Sequence, residues 1–344
     1  MTMRYPFLSV ITISYNGAST IARTLDSLVA QDYPSDKYEI IVVDDGSTDD
    51  TAAIASRYPV ALIRKSNGGI SSARNAGLEA AKGEIYVTMD DDCIAAPDLL
   101  TRLAHGYENG EPLGVGGAIV QAQPVSGVVA RYIHATGAGT THAGAPATSL
   151  SGRFIQYLVS KFAATSAESV APIQVAELYG ANGSYRVVDL RAIGGWSIEM
   201  SGIEDRDLSQ RLREAFPGRP FFAVPSAKII HDPDLSLSAY LLRPWKRGPQ
   251  NFLFHHRNHI TPPIFPFPLA VAALSLVATA ISPWLGLVMI FILPLALYFW
   301  WIVRAVKEAH ILYVLFPYLQ MAEETVVIAG LVRGYYALKR GHRA

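Results

Sequence analysis

The chain has 344 residues with 29 basic and 29 acidic side chains, so its formal net charge is zero, and half of its residues are hydrophobic. A general nucleic-acid-binding protein would usually be basic, so we expect no nucleic-acid partner. The single cysteine, Cys93, excludes an intramolecular disulfide and fits a reducing compartment. The length predicts two domains, or one large domain with an appendage, and no signal peptide is expected from the first residues.

The N-terminal part of the chain alternates between strand and helix patterns. The predicted strands, rich in β-branched and apolar residues, are 7–14, 38–46, 60–65 and 84–90. The predicted helices are 18–31, a helix capped by Ser47, and 69–83. Strands that alternate with helices predict an α/β fold, with a mostly parallel sheet and helices on both of its faces.

Carboxylates gather where two of these strands end. The second strand ends in Asp44 and Asp45, and the fourth ends in Asp90, Asp91 and Asp92. In open α/β sheets the ligand lies outside the carboxyl ends of the strands, so both groups are expected at one binding edge. One aspartate per turn is explained as a helix cap, but paired and tripled aspartates are not.

Carboxylates packed this closely need a counter-charge. A divalent metal with oxygen ligands, Mn²⁺ or Mg²⁺, supplies it and commonly bridges to a diphosphate. Asp44 or Asp45 could then accept hydrogen bonds from a base or ribose, as strand-end carboxylates do in dinucleotide folds. The Gly-rich turn at 67–69 lets a ligand approach the backbone closely, although the ending of a P-loop is missing.

Five segments give the sequence a family resemblance. In chain order they are "VITISYNGASTIARTLDSLVAQDYP", "EIIVVDDGSTDDT", "NGGISSARNAGLEAAKGEIYVTMDDDC", "GANGSYRVVDLRAIGGW" and "GIEDRDLSQRLREA". In this order and spacing the chain resembles the family 2 glycosyltransferases. The resemblance implies the GT-A fold, a Rossmann-like, mostly parallel sheet that binds a nucleotide-diphosphate sugar.

The resemblance also implies roles for individual residues. Asp92 and Asp90 correspond to the family's DxD element and would hold the metal, with His231 as a possible further ligand; Asp91, between them, would point elsewhere and could cap a helix. The residues implied in donor binding are Ser14, Tyr15, Asp44, Asp45, Gly69, Asn75, Asp90 and Asp91. Those implied at the acceptor or the membrane interface are Asn182, Trp196, Arg243 and Trp245.

Glu204 and Asp205 correspond to the family's acidic pair, of which Asp205 would be the general base. Sugar transfer needs a base at the acceptor hydroxyl and a metal that neutralises the leaving diphosphate. A single carboxylate supports one in-line displacement, which inverts the anomeric centre, whereas double displacement needs a carboxylate nucleophile. On pattern alone, acids in the first turn of a helix are also explained by the helix dipole.

The remainder of the chain changes character. Residues 134–152, rich in Ala, Gly, Thr and Ser, predict a loop, and we expect it to act as a lid. Residues 264–303 carry no charge and can supply two membrane-spanning helices of about twenty residues each, with a turn at 282–286. The alternative for this segment is a buried helical hairpin in a soluble core.

A third apolar stretch, residues 311–332, contains Glu323 and Glu324. Either it spans with both glutamates facing protein, or it lies in the membrane interface or re-enters, because charges at the bilayer centre are costly. The basic residues that flank the apolar hairpin place that side in the cytoplasm. These residues are Arg243, Lys246, Arg247, Arg257, Arg304 and Lys307.

We therefore predict a GT-A catalytic domain over 1–235, an amphipathic juxtamembrane segment over 236–262, and a membrane domain with two or three transmembrane helices over 263–344. The predicted protein is an inverting, metal-dependent hexosyltransferase of the inner or plasma membrane, with its catalytic domain in the cytoplasm. Its partners would be a nucleotide-diphosphate sugar, a lipid-linked or glycan acceptor, and membrane lipids.

Two alternatives stay open. A processive polysaccharide synthase would carry a QxxRW motif near Arg243 and Trp245, and the sequence lacks it. A non-catalytic membrane scaffold that binds nucleotide sugar would keep its function after Asp205→Asn, whereas an enzyme would lose turnover. The sequence predicts no oligomeric state.

Overall fold

The computed structural model describes residues 5–108, 110–120, 127–136, 149–162, 172–231, 236–263 and 265–340. The described residues group into two compact units. Unit 1 comprises 5–120 and 172–231, and unit 2 comprises 127–136, 149–162 and 236–340. Residues 127–136 and 149–162 lie between the two segments of unit 1 in the chain, but they group with the C-terminal residues in unit 2.

Unit 1 contains one mixed sheet of nine strands. The strands are β1 (Leu8–Ser14), β2 (Tyr38–Asp44), β3 (Ala61–Arg64), β4 (Ile85–Asp90), β5 (Cys93–Ala95), β6 (Gly114–Val120), β7 (Ile173–Val175), β8 (Gly183–Arg186) and β9 (Phe221–His231). Its helices are α1 (Ile21–Val29), α2 (Thr51–Ala55), α3 (Ile70–Ala80), α4 (Leu99–His105), α7 (Val187–Ala192) and α8 (Glu204–Ala215). The four strands predicted from the sequence are all confirmed.

The sheet order is β3-β2-β1-β4-β8-β6-β9-β5, with β7 paired to β9. The first four strands in this order are parallel, whereas β8 is antiparallel to both β4 and β6. The parallel half forms because β1, β2 and β4 are apolar along their length and are buried on both faces. This half brings the ends of β1, β2, β3 and β4 to one edge.

Alternate residues of the strands pack into two apolar layers, one on each face of the sheet. Val10 and Val42 belong to the layer that includes α1 and α4. Ile11 and Val43 belong to the layer that includes α3 and α8. This period of two is what a strand buried on both faces requires, so the core fixes the register of the strands and thereby the positions of their ends.

The predicted cap of the second helix is wrong. Helix α2 begins at Thr51 and follows Asp50. The Ser47 hydroxyl instead accepts a hydrogen bond from the Asn16 backbone N–H at 2.9 Å, and Asn16 Oδ1 accepts one from the Thr48 N–H at 2.9 Å. These bonds tie the loop after β1 to the loop after β2, next to the strand ends.

Unit 2 is helical. Its helices are α5 (Val128–Thr136), α6 (Leu150–Phe162), α9 (Leu237–Arg257), α10 (Pro266–Ile281), α11 (Pro283–Leu297), α12 (Trp300–Lys307) and α13 (Phe316–Lys339). Of the turn predicted at 282–286, Ser282 separates α10 from α11, whereas residues 283–286 form the start of α11. The predicted loop over 134–152 lies mostly outside the described residues, and its two ends belong to α5 and α6.

The lengths of the helices differ from the predicted spans. Among the described residues, Ile311–Lys339 is long and apolar enough to cross a membrane. Helix α10 is too short to qualify, and α11 reaches the required length only together with α12 across a bend of 65°. Two separate spans of about twenty residues within 264–303 are therefore not observed.

The two glutamates of α13 face protein. Glu324 is buried, and its oxygens accept hydrogen bonds from Tyr157 at 2.6 Å and Tyr298 at 2.8 Å. Glu323 accepts one from Tyr132 at 2.8 Å. These hydroxyl donors compensate the cost of placing carboxylates among apolar helices.

Candidate functional site

The register of the parallel strands gathers polar side chains at one edge of unit 1. Ser14 at the end of β1 pairs with Asp44 at the end of β2, and Ile13 pairs with Asp90 at the end of β4. Asp44 in turn pairs with Arg64 at the end of β3. The structure therefore brings together the strand-end residues that the sequence analysis placed at one binding edge.

Asp45 organises the Gly-rich turn. One of its oxygens accepts hydrogen bonds from Lys65 Nζ at 2.6 Å and from the Gly68 N–H at 3.0 Å, and the other accepts one from the Gly69 N–H at 2.7 Å. Gly69 has φ of +83°, a conformation that glycine adopts without strain. The Asp45 carboxylate thus holds the turn at 67–69 in place beside the strand ends.

Neighbouring residues of unit 1 also bind the Asp44 carboxylate. Its carboxylate accepts a hydrogen bond from the Ser47 N–H at 2.9 Å and pairs with Arg64 Nε at 3.3 Å. Its side chain is buried, whereas Tyr15, the residue after β1, is 54% exposed. Among Ser14, Tyr15, Asp44 and Asp45, Tyr15 has the side chain that a ligand can reach directly in this structure, because the other three are buried.

The three consecutive aspartates occupy different surroundings. Asp91 accepts a hydrogen bond from Ser14 Oγ, and its backbone carbonyl accepts one from Thr24 Oγ1 at 2.8 Å. Gly17 lies so close to Asp91 Oδ2 that no Cβ would fit there. Asp91 does not cap a helix, because β5 follows it and α4 begins only at Leu99.

Burial, reinforced by the charges of Asp92 and Asp90, raises the pKa of Asp91 to about 6, although the hydrogen bond from Ser14 opposes this. The folded state therefore favours the protonated carboxyl more than the unfolded chain does. At neutral pH the Asp91 charge costs stability, and this is the cost that a nearby cation would relieve.

Asp92 faces His231 across neighbouring strands. Cys93 is the register partner of His231 in the β5–β9 pair, which places His231 Nε2 3.0 Å from Asp92 Oδ2. Burial alone would raise the pKa of Asp92, but the hydrogen bond and charge of His231 outweigh it and lower the pKa below its ordinary value. One ligand atom each from Asp92, Cys93 and His231 lie within 4.8 Å of one another.

This donor set fits a divalent cation in part. A carboxylate oxygen is a ligand that Mn²⁺ and Mg²⁺ prefer, and an imidazole nitrogen is a common metal ligand. Burial strongly raises the pKa of the Cys93 thiol, so the thiol stays protonated and is a poor ligand. Asp92 and His231 are therefore the candidate metal ligands, with Asp90 on the adjoining strand end.

Arg74 joins three carboxylates from two elements. It lies on α3 and is 3% exposed. Its guanidinium is 2.8 Å from Asp205 Oδ1, 3.2 Å from Glu204 Oε1 and 3.5 Å from Asp90 Oδ1. Burial works against its charge, but the three carboxylates together raise the pKa of Arg74 above its ordinary value, so the group stays cationic.

The two acids at the start of α8 are held differently. Glu204 points inward: Oε2 accepts the Gly202 N–H at 2.6 Å, and burial followed by the charge of Asp205 raises its pKa against the effect of Arg74. Asp205 Oδ2 accepts the Gly180 N–H at 2.8 Å, and its side chain is 26% exposed. Asp205 is thus oriented on both oxygens and remains accessible, whereas Glu204 is enclosed.

Other predicted site residues bind groups in the interior of unit 1 instead of facing its surface. Asn75 and the Trp196 backbone exchange two hydrogen bonds, both of 2.8 Å. Asn182 donates to the backbone oxygens of Ala118 and Ala227, at 3.1 Å each. Asn182 and Trp196 are both buried, so neither presents a surface to an acceptor in this structure.

Comparison with known proteins finds a family match in the N-terminal part of the chain. Residues 9–170 match the model of glycosyl transferase family 2. The chain is similar to that family over these residues. The carboxylates at the ends of β2 and β4 lie within the matched residues.

Curated relatives match over the same part. A stretch of 139 residues is 37% identical to glycosyltransferase AglE of Haloferax volcanii, covering 38% of this chain and 46% of the relative. Another, of 123 residues, is 33% identical to dolichol-phosphate mannosyltransferase of Pyrococcus furiosus, covering 34% of this chain and 35% of the relative. The chain thus matches less than half of the length of each of these two relatives.

Among solved structures, the chain is similar to mannosyltransferase PcManGT from Pyrobaculum calidifontis, whose structure contains GDP-Man and Mn²⁺. The TM-score is 0.57 at 22% identity, over 97% of this chain and 88% of that chain. At this identity the likeness concerns the fold alone, and it confirms the predicted α/β fold of GT-A type.

The sequence analysis missed Arg74 as part of this candidate site. The signal was available: the buried residues of α3 include Ser71, Ala73, Arg74, Gly77 and Leu78. Arg74 thus occupies the face of the helix that packs on the sheet, at the spacing of one helical stripe. A cation on such a stripe needs buried anions as partners, and the sequence provides strand-end aspartates for it.

The first prediction concerns Arg74→Gln. It leaves Glu204 and Asp205 without their buried cation and should lower the unfolding free energy by about 3–5 kcal/mol. Arg206→Gln is the matched control, because its pair with Glu177 at 3.2 Å is partly exposed and is worth about 1 kcal/mol or less. Urea unfolding measures both, and an Arg74→Gln loss no larger than the Arg206→Gln loss would contradict the proposed role.

The second prediction concerns the pH dependence of Asp91→Asn in metal-free protein. Because the folded pKa of about 6 lies above the ordinary 3.8, the wild type is most stable below the lower value and loses stability as pH rises through the upper one. Asp91→Asn should match the wild type near pH 4 and exceed it above pH 7, by about 1–3 kcal/mol. Denaturant unfolding in EDTA tests this, with exposed Asp36→Asn as control; equal curves at high pH would refute it.

Proposed function

We propose that the protein is a metal-dependent glycosyltransferase that moves one sugar from a nucleotide-diphosphate sugar to a lipid-linked or membrane-proximal acceptor, with inversion at the anomeric carbon. Support comes from the match to glycosyl transferase family 2 and from the acidic edge of the sheet. The reaction joins the acceptor oxygen to the anomeric carbon, breaks the bond from that carbon to the diphosphate, and transfers the acceptor proton to a base.

The observation that carries this proposal is the geometry of Asp205. Arg74 Nη1 and the Gly180 N–H fix its two oxygens, each at 2.8 Å, while the side chain stays partly exposed. A base must be oriented and must reach the acceptor hydroxyl, and Asp205 meets both requirements. Glu204 is enclosed and serves as a positioning residue for Arg74, so one accessible carboxylate favours a single, inverting displacement.

Asp92 and His231 would hold Mn²⁺ or Mg²⁺, with Asp90 facing the ribose or the metal. When bound, the cation acts as a Lewis acid that neutralises charge on the departing diphosphate. The side chains of Asp92 and His231 are 40% and 23% exposed, so both can be reached from solvent. Tyr15, exposed at the end of β1, and the turn held by Asp45 would line the nucleotide.

A membrane-proximal acceptor is favoured by two observations. One relative is named a dolichol-phosphate mannosyltransferase, and α10 and α11 expose many apolar side chains. Protein surfaces with such large exposed apolar areas are typical of membrane contact. We place the protein at the inner or plasma membrane with its catalytic domain in the cytoplasm, because Arg243, Lys246, Arg247, Arg304 and Lys307 flank the apolar hairpin.

The third prediction tests the base. Asp205→Asn keeps the size of the side chain and one of its two acceptor oxygens but cannot take a proton, so kcat should fall about 10²- to 10⁴-fold while donor binding persists. Asp207→Asn, in the same helix turn but paired with Arg211 at 2.7 Å, should retain most activity. Sugar transfer from labelled nucleotide sugars into extracted lipid is the measurement. Unchanged turnover in Asp205→Asn would favour a scaffold, and label in a long polymer would favour a processive synthase.

The fourth prediction tests the metal. Mn²⁺ binding, measured by electron paramagnetic resonance with UDP or GDP present, should weaken by at least about tenfold in Asp92→Asn and in His231→Ala. Asp98→Asn is the control, since that carboxylate pairs with Arg102 on α4. Equal Mn²⁺ affinity in wild type and both variants would show that the cation binds elsewhere.

A further inference from the structure

The hairpin formed by α10 and α11 presents apolar side chains outward on both helices and at its turn. The helices have 16 and 15 residues and are separated only by Ser282. Residues 260–303 contain no Asp, Glu, Lys, Arg or His. At the turn, Ile281 and Trp284 are 75% and 77% exposed, so the tip of the hairpin carries apolar surface and no charge.

The hairpin is too short to bring its tip through a bilayer. A helix of 16 residues is about 24 Å long, whereas the hydrocarbon core of a bilayer is about 30 Å thick. A hairpin that crossed would also need a polar turn to meet the opposite headgroups. Gly286 lies directly against Thr279, so the two helices pack closely right up to their turn.

Polar and charged groups collect at the other end, the base of the hairpin. Phe267 packs on Tyr298 with ring centroids 5.3 Å apart, and the Tyr298 hydroxyl donates to Glu324 at 2.8 Å. The chain then bends by 65° into α12, which carries Arg304 and Lys307. The hairpin therefore has one polar end and one apolar end, as an element that enters hydrocarbon from a single side requires.

Helix α13 lies alongside α9, and the two run in the same direction. A Cβ on Gly330 would lie 2.8 Å from the Pro244 carbonyl oxygen, and a Cβ on Gly334 would lie 2.9 Å from the Pro249 Cα. The ring of Tyr335 contacts that of Phe252 at 5.8 Å between centroids. Glycines spaced four apart on α13 permit this close approach, as in the packing of membrane helices.

Helix α9 carries cations along this contact. Arg243, Lys246 and Arg247 are exposed on α9, and Arg333 on α13 lies over the Trp245 ring at 5.0 Å. If α13 crossed the bilayer, α9 would cross with it, and each cation near the centre would cost about 3 kcal/mol or more. The same cations are favourable against anionic headgroups.

We propose that unit 2 is a monotopic membrane anchor, and that an anionic lipid bilayer covers its exposed apolar surface. The α10–α11 hairpin enters the hydrocarbon of one leaflet and returns, while α9 and α13 lie together on the headgroups of the same face. The chain then does not cross the membrane, and the basic end of α13 stays on the side of the catalytic domain. This inference rests on the membrane association proposed above and sets its topology.

Cysteine accessibility tests the topology with the full chain reconstituted in phosphatidylcholine–phosphatidylglycerol vesicles. The single native cysteine, Cys93, is 0% exposed and gives a low background. A membrane-impermeant maleimide is supplied outside the vesicles or trapped inside them. Asp36→Cys, exposed in unit 1, reports the side of the catalytic domain as the reference side, Arg340→Cys reports the end of α13, and Trp284→Cys reports the hairpin tip.

We expect Arg340→Cys to show the same outside-to-inside labelling ratio as Asp36→Cys, and Trp284→Cys to be labelled from neither side until detergent is added. Ile281→Cys, also at the tip, should behave as Trp284→Cys does and covers the case in which one variant fails to fold. Circular dichroism of each variant confirms folding.

Other outcomes overturn the inference. A ratio for Arg340→Cys that is the inverse of that for Asp36→Cys would show that α13 crosses, and labelling of Trp284→Cys from the side opposite to Asp36→Cys would show that the hairpin crosses. Labelling of Trp284→Cys from the reference side would place the tip in water, and protection that persists in detergent would indicate a second copy of the chain as the occupant. Failure of the wild type to float with vesicles would instead refute the membrane association itself.

Discussion

The ion pairs of Arg74 are the interaction on which the candidate site depends. This guanidinium lies on α3, yet it contacts the end of β4 through Asp90 and the start of α8 through Glu204 and Asp205. Removing one partner from a buried ion pair leaves an uncompensated charge, which is costly. The same contacts therefore fix the distance between the proposed metal ligands and the proposed base, Asp205, and link the stability of unit 1 to the proposed chemistry.

The strand-end carboxylates share one edge but not one function. The carboxylates of Asp44 and Asp45 accept backbone hydrogen bonds from the loops after β2 and β3 and hold these loops in place. Asp91 is turned toward Ser14, while Asp92 faces His231 and Asp205 stays partly exposed beside Arg74. Surroundings rather than residue type separate structural acids from those that can bind a cation or take a proton.

The sequence predicted the parallel half of the sheet well because β1, β2 and β4 are continuous apolar runs ended by polar residues, and both features are local. It did not predict Arg74, since the partners of Arg74 are separated from it by up to 131 residues and meet only after folding. It also misassigned the cap at Ser47, because that hydroxyl is used by the neighbouring loop at Asn16. Local patterns give elements and their ends, whereas the pairing of charges between elements requires the topology.

The same distinction applies to the apolar C-terminal part. Composition alone could not decide whether residues 311–332 span, because a basic segment before the hairpin and a basic tail after α13 would then lie on opposite sides of the membrane. In the proposed monotopic topology the packing of Gly330 and Gly334 on α9 removes this conflict, since α13 shares the environment of the cations on α9. Glu324 is then a buried carboxylate satisfied by Tyr157 and Tyr298 at the polar base of the hairpin, and no charge needs to enter the hydrocarbon.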